Sequence, residues 1–260
     1  AKLLRLREPP LLRLALAFGG ECGLGLLSAL RRDSGLLDEP REPLKGILAV
    51  TLLGGLARGR ALRRSGARPG DALWVTGRLG ASAAGLLALE RGLRPAAAWP
   101  ADVPRPEWLG VREEAALQAA IQSHLTPVPR LRAGQALVGC ATAMIDVSDG
   151  VASDAGHLAS ESRVTVRILA PQVPIHPGAL AGARWTSREP LDLALRGGED
   201  YELLFTAAAD PRPILAAAAP DLPVTRIGEV STGPGVPVLL HSDGREETLA
   251  GGFDHFRSPV

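Results

Sequence analysis

The strongest constraint on the fold of this chain is an alternation that runs from residue 47 to residue 241. Short apolar runs at 47–53, 71–76, 141–147, 164–169, 201–207, 224–230 and 236–241 have strand character. Segments of helical composition lie between most of them, at 82–91, within 106–124, and at 131–138, 151–161, 187–196 and 213–218. Ser242-Asp243-Gly244 supplies a hairpin turn. Strands separated by helices bury the sheet under the helices, so the expected class is α/β (α+β) with a mixed sheet covered by helices. Trp74, Val75, Met144, Ile145, Val147, Leu203 and Phe205 are the expected core, with Tyr201 sharing a strand face with Leu203 and Phe205.

The 260 residues are 46% hydrophobic, enough for a sizeable core in one large domain or two small ones. Lys and Arg number 29 against 28 Asp and Glu, a net charge of +1. That balance gives no global electrostatic reason to bind nucleic acid or an anionic membrane. Cys22 and Cys140 form no CxxC and no metal-ligand spacing, and they read as buried free thiols of a reducing compartment. The first twenty residues carry apolar stretches, but Arg13 and the pair Pro9-Pro10 interrupt them, unlike a signal peptide. The longest apolar run, 47–57, falls short of the roughly 18 residues needed to cross a bilayer. The expectation is a soluble, cytoplasmic protein. Residues 1–46 read as a less regular segment, with helical composition at 11–17 and 25–32 and a charged, Pro-containing stretch at 31–45.

Three segments have the residue types of a chemical site. In Met144-Ile145-Asp146-Val147-Ser148-Asp149-Gly150, a strand runs into a helix. Asp146 and Ser148 share a face, and Asp149 follows at the strand end. Carboxylates at such a junction can hold Mg²⁺ against phosphate. Ser148 or Asp149 serving only as a helix cap is the plainer alternative. Downstream, Asp154 and His157 are spaced to pair on one helix face. In Gly197-Gly198-Glu199-Asp200, two acids sit at the mouth of a strand, where Glu199 and Asp200 either meet a polar ligand or form a charged turn. Arg60, Arg63, Arg64 and Arg68 crowd into nine residues and could clamp phosphate, or form a solvated loop.

Taken in order, these segments resemble the thiamine-monophosphate kinase family, within the larger group of ATP-binding proteins related to aminoimidazole ribonucleotide synthetase. The resemblance is carried by GRALRRSGARPGDALWVTGRLGASAAGL (59–86), HLTPVPRLRAGQAL (124–137), MIDVSDGVASDAGHLA (144–159), LRGGEDYELLFT (195–206), IGEV (227–230) and GGFDHF (251–256). It implies a sheet-and-helix fold like the C-terminal domain of those synthetases. It also implies transfer of the γ-phosphoryl group of ATP to thiamine monophosphate, giving thiamine diphosphate, with Mg²⁺ and no covalent enzyme intermediate. Asp146 and Asp149 then match Mg²⁺ ligands. Arg64 and Ser148 match ATP contacts, and Glu199 and Phe253 match substrate contacts, Phe253 as an aromatic face for the cationic thiazolium.

The match covers about 47–258, expected as the C-terminal domain (47–260), with 1–46 a remnant of a preceding ATP-binding domain. Gly20-Glu21-Cys22-Gly23-Leu24 resembles the opening GEFGL element of that domain, but the GDDAA-like metal element is not in the chain. That preceding domain is also what builds the family's homodimer. A second functional reading is therefore a shortened, non-catalytic relative that binds nucleotide or a partner protein. A third is a purine-biosynthetic synthetase, against which GGEDYEL and GFDHF argue.

Overall fold

The computed structural model describes residues 57–95, 99–249 and 251. The expected strand at 47–53, the helical segments before it, Cys22 and Phe253 lie outside the described residues. Within them, seven strands form one sheet in the order β2-β4-β1-β5-β3-β6-β7. The strands are β1 (Ala72–Thr76), β2 (Ala143–Asp146), β3 (Thr165–Leu169), β4 (Leu203–Ala207), β5 (Val224–Ser231), β6 (Pro237–Leu240) and β7 (Glu246–Thr248). The sheet is mixed: β3 and β6 run parallel and every other neighbouring pair is antiparallel. The turn at Ser242-Asp243-Gly244 joins β6 to β7.

Side-chain alternation sorts the central strands onto two faces. Leu73 and Val75 of β1, Ala143 and Ile145 of β2, and Leu204 of β4 point to one core. Helices α4 (Val151–Ser162) and α6 (Pro190–Arg196) cover it, through residues such as Val151, Ala155, Leu158 and Leu195. Trp74, Met144, Leu203 and Phe205 point the other way, toward α3 (Leu131–Ala136) and α7 (Arg212–Ala218). The register places Trp74 and Met144 on either side of Phe205, which is fully buried. Burying a side chain of that size stabilises the fold by about 1.5–3 kcal/mol. Met144 and Leu203 are only partly buried, because a cavity opens beside them.

A third layer consists of α1 (Ala81–Glu90), α2 (Val111–Leu125) and α5 (Pro177–Thr186), which pack on one another. Helix α2 starts where Glu113 accepts the amide of Gly110. Helix α5 starts with Pro177, preceded by His176, whose Nδ1 accepts the amide of Gly178. Helix α5 does not appear in the sequence reading, and the helix expected over 187–196 begins only at Pro190. Cys140 is a half-buried free thiol whose pKa burial, and then the charge of Asp210, raise. No described helix is long and apolar enough to cross a membrane.

Candidate functional site

Strand β2 ends at the exposed Asp146, and the chain turns through Ser148 and Asp149 into α4. The turn is held by Asp154, not by a cap. Asp154 is 1% exposed, and its Oδ2 accepts the amides of Ser148 at 3.1 Å and Asp149 at 3.2 Å. The N-cap position of α4 is Gly150, with no side-chain cap bond. Neither Ser148 nor Asp149 therefore does the capping work of the plainer reading, and both side chains stay half-exposed. The expected pairing of Asp154 with His157 is also overturned: Asp154 faces inward to the turn, while His157 is exposed. Gly150 has φ +100, and a Cβ there would lie 2.9 Å from the carbonyl oxygen of Leu195, so the tight passage from strand to helix needs glycine.

The segment 197–202 packs against this turn. Glu199 donates its amide to the Ser148 carbonyl at 2.7 Å, and Tyr201 donates its own to the Val147 carbonyl at 2.9 Å. Glu199 and Tyr201 have φ of 55° and 50°, a left-handed backbone that costs non-glycine residues energy and is held here by those bonds. Tyr201 thus lies outside the strand, a correction to its expected place in the core. It is half-buried, and it lines a cavity with Asp146. Asp200 is not a ligand group either. Its carboxylate accepts the amides of Gly80 at 2.7 Å and Ser82 at 3.1 Å, closing the N-terminus of α1. Of the two acids, only Glu199 keeps a partly exposed carboxylate.

Glu202 is buried, and both of its carboxyl oxygens are hydrogen-bonded. Its oxygens accept from Arg130 Nε at 2.9 Å, Arg130 Nη2 at 2.6 Å and Thr76 Oγ1 at 2.6 Å. A Cβ on Gly77 would collide with this carboxylate, at 1.9 Å from Oε1. The basic segment 60–68 runs along the edge of β2, where the Arg63 carbonyl accepts the Met144 amide at 2.9 Å. The Ser162 hydroxyl pins it from α4, accepting the amides of Gly66 and Ala67 and donating to the Arg64 carbonyl.

Two open cavities meet at Asp146. One, of about 610 Å³, has Arg63, Arg64, Ser65 and Glu161 on its walls. The other, of about 450 Å³, is bounded by Arg60, Arg130, Gln135 and Tyr201, with an apolar floor that includes Met144 and Leu203. Arginines and carboxylates thus face each other across a concave surface, an arrangement suited to a phosphorylated ligand and a divalent cation.

Burial raises the pKa of the Tyr201 phenol, and the carboxylates of Glu199, Asp146 and Asp149 raise it further. Burial pushes Asp154 up to about 7; the Asp149 and Ser148 amides oppose that shift, while the charges of Asp149 and Asp146 add to it. Burial likewise raises Asp200 to about 6, against the opposing amides of α1. Among the described residues, no group of three or more His, Cys, Asp or Glu side chains forms a metal site. Asp146 and Asp149 remain as two available carboxylates, the number Mg²⁺ takes from a protein when phosphates and waters complete its shell.

Of the six residues expected at the site, Asp146, Ser148, Asp149 and Glu199 come together, Arg64 lies on the cavity that includes Asp146, and Phe253 is outside the described residues. Arg130, Asp154 and Glu202 were not read as site residues from the sequence. Arg130 carries a trace of a signal in the Pro-flanked run Pro127-Val128-Pro129-Arg130, which ends an extended segment at the start of a helix.

Comparison with known proteins agrees with this architecture. The AIR synthase related protein, C-terminal domain, matches residues 68–240. Thiamine-monophosphate kinase of Salmonella typhimurium is 38% identical over 232 residues, covering 85% of this chain and 63% of the relative. The crystal structure of thiamine-monophosphate kinase from Stenotrophomonas maltophilia K279a superposes with a TM-score of 0.58 at 38% identity, covering 73% of this chain and 55% of that one. AaThiL complexed with AMPPCP and TMP superposes with a TM-score of 0.57 at 33% identity, covering 76% and 55%. The chain spans about 63% of the length of the first curated relatives it matches. The mixed sheet, its helical cover and the extent of the family match lead to one assignment: this chain belongs to the AIR synthase related protein family and contains that family's C-terminal domain.

Proposed function

We propose that this chain takes part in the ATP- and Mg²⁺-dependent phosphorylation of thiamine monophosphate to thiamine diphosphate, with residues 47–260 as its C-terminal domain. The observation that carries the reading is the bond from the Glu199 amide to the Ser148 carbonyl at 2.7 Å, which brings Glu199 to the turn that bears Asp146 and Asp149, beside a cavity that joins Asp146 to Arg64. The curated relatives named thiamine-monophosphate kinase, and the relative whose structure holds AMPPCP and TMP, support the choice of substrates.

In this reading, a phosphate oxygen of thiamine monophosphate attacks the γ-phosphorus of ATP, and the bond from that phosphorus to the ADP oxygen breaks. Such a reaction asks mainly for positioning and charge neutralisation. Arg64, on a segment fixed by Ser162, attracts the nucleotide phosphates, and the Ser148 hydroxyl donates to one of their oxygens. Asp146 and Asp149 would hold Mg²⁺, which when bound neutralises charge on the phosphates. Asp154 fixes the backbone of Ser148 and Asp149, and so steadies the Asp149 carboxylate beside the end of β2. Glu199 holds the substrate, with Phe253 as an aromatic face. A homodimer, built through the preceding ATP-binding domain where that domain is present, belongs to the same reading and rests on the family resemblance; a cytoplasmic location rests on the two cysteines of the sequence, which read as free thiols.

The test is ADP release by the 260-residue protein with Mg²⁺, ATP and thiamine monophosphate, beside an Asp146→Asn variant. Asp146 is exposed, so its replacement leaves the fold intact. Turnover in the wild type that disappears in the variant is the expected result. A folded wild type with neither turnover nor binding of thiamine monophosphate refutes the reading.

A further inference from the structure

Glu199 and Asp200 are neighbours in sequence, and both are tied to the start of α1 by different means. Asp200 reaches the helix backbone directly, at the amides of Gly80 and Ser82. Glu199 reaches it through a third side chain. The Oγ of Ser82 lies 2.8 Å from Nδ1 of His124, in the last turn of α2. The same ring nitrogen lies 3.6 Å from Oε2 of Glu199. The His124 side chain is 17% exposed and that of Glu199 is 39% exposed, so the carboxylate faces outward from an imidazole packed behind it.

A glutamate on a left-handed turn has several side-chain rotors, and fixing them on binding costs conformational entropy. A partner that restrains the carboxylate beforehand lowers that cost. With the proton on Nδ1, the ring donates to the Ser82 hydroxyl and turns the positive end of the N–H dipole toward the Glu199 carboxylate. We infer that His124, anchored by Ser82, is a positioning residue that aims the Glu199 carboxylate at the organic substrate. The inference rests on Glu199 as the substrate contact. The contacts of His124 run to Ser82 and Glu199, and His124 is not on the wall of the cavity that holds Arg64. Its effect is accordingly specific to the organic substrate and not to the nucleotide.

Calorimetric titration of the 260-residue protein with thiamine monophosphate, and separately with Mg²⁺-ATP, tests it. His124→Ala is expected to weaken thiamine monophosphate binding about fivefold, the loss of a close polar contact on a partly exposed carboxylate, with ATP affinity unchanged. His124→Asn, which keeps a polar atom near the Nδ1 position, is expected to restore affinity to within about twofold, and Ser82→Ala to fall between the two. If His124→Ala binds like the wild type while Glu199→Gln loses affinity, the positioning role is overturned and the substrate contact stands. If Glu199→Gln binds like the wild type, or the wild type does not bind thiamine monophosphate, the site reading falls and this inference falls with it. If ATP affinity drops in parallel with that for thiamine monophosphate, or asparagine fails to rescue, His124 is only a packing residue and the inference is overturned.

Discussion

Replacing Arg130 with methionine isolates the energetics of the buried Arg130–Glu202 pair beside the cavity. Glu202 has a side chain 5% exposed, and Arg130 supplies two of its three hydrogen bonds. The third comes from Thr76 Oγ1, which in turn accepts the Leu203 amide. Methionine fills much of the volume of the arginine stem but leaves a carboxylate in the core with one hydroxyl for company. Breaking a buried pair in this way costs about 3–5 kcal/mol. The Arg130 side chain is 29% exposed, so water can reach the gap, and the lower end, about 3 kcal/mol, is expected. For a domain of this size that corresponds to a fall in Tm of about 6–12 °C. Urea denaturation followed by far-ultraviolet circular dichroism reads the change as a shift in midpoint at constant slope. The double variant Arg130→Met with Glu202→Gln removes the stranded charge and keeps an acceptor for Thr76, so it should recover at least about half of the loss. A single variant that costs less than about 1 kcal/mol, or a double variant no more stable than the single one, would show that the carboxylate is not held by this pair.

Two further outcomes follow from the same geometry. Asp200 titrates at an ordinary 3.8 when unfolded and at about 6 when folded, so the folded state binds more protons between those values. Its contribution is present in full below pH 4 and is lost as pH rises through about 6, a decline of about 3 kcal/mol. Asp200→Asn should flatten that stretch of a stability-against-pH curve, and an unchanged slope would contradict the assignment. Gly150→Ala places a Cβ against the Leu195 carbonyl at positive φ and should destabilise the protein by about 1–3 kcal/mol in chemical denaturation. A wild-type midpoint would mean that the turn relaxes freely.

The strands and most helices were legible because apolar alternation marks them directly. Trp74, Ile145 and Phe205 sit in the core for that reason. Helix α5 escaped because its sequence, Pro177-Gly178-Ala179-Leu180-Ala181-Gly182, has two glycines, and glycine argues against helix. The structure gives the reason for them: a Cβ on Gly178 would stand 2.6 Å from that of Ala120, and one on Gly182 would stand 3.2 Å from that of Ala84. Close approach to α2 and α1 overrides propensity there. The site divides similarly. Asp146, Ser148 and Asp149 are contiguous and could be found by spacing. Tyr201 was misplaced because two left-handed residues break the strand's alternation before Leu203. Arg130 and Glu202 stand 72 positions apart, and nothing local in either segment announces the other.

The segment bearing the arginines has a second consequence through its bond to Met144. Among the described residues, strand β2 is the last in the sheet on its side, where outward amides are open to another strand. The carbonyl of Arg63 occupies one of them, and the cationic side chains of Arg63 and Arg64 repel a second copy of the same edge. At the opposite end, β7 is three residues long and carries Glu246 and Glu247. Among the described residues, neither margin of the sheet therefore invites fibril-like addition. Ser162, which anchors the segment from α4, is thus also a guard of solubility: loosening it bares β2, so damage there can surface as aggregation in cells even when the isolated protein still binds its ligands.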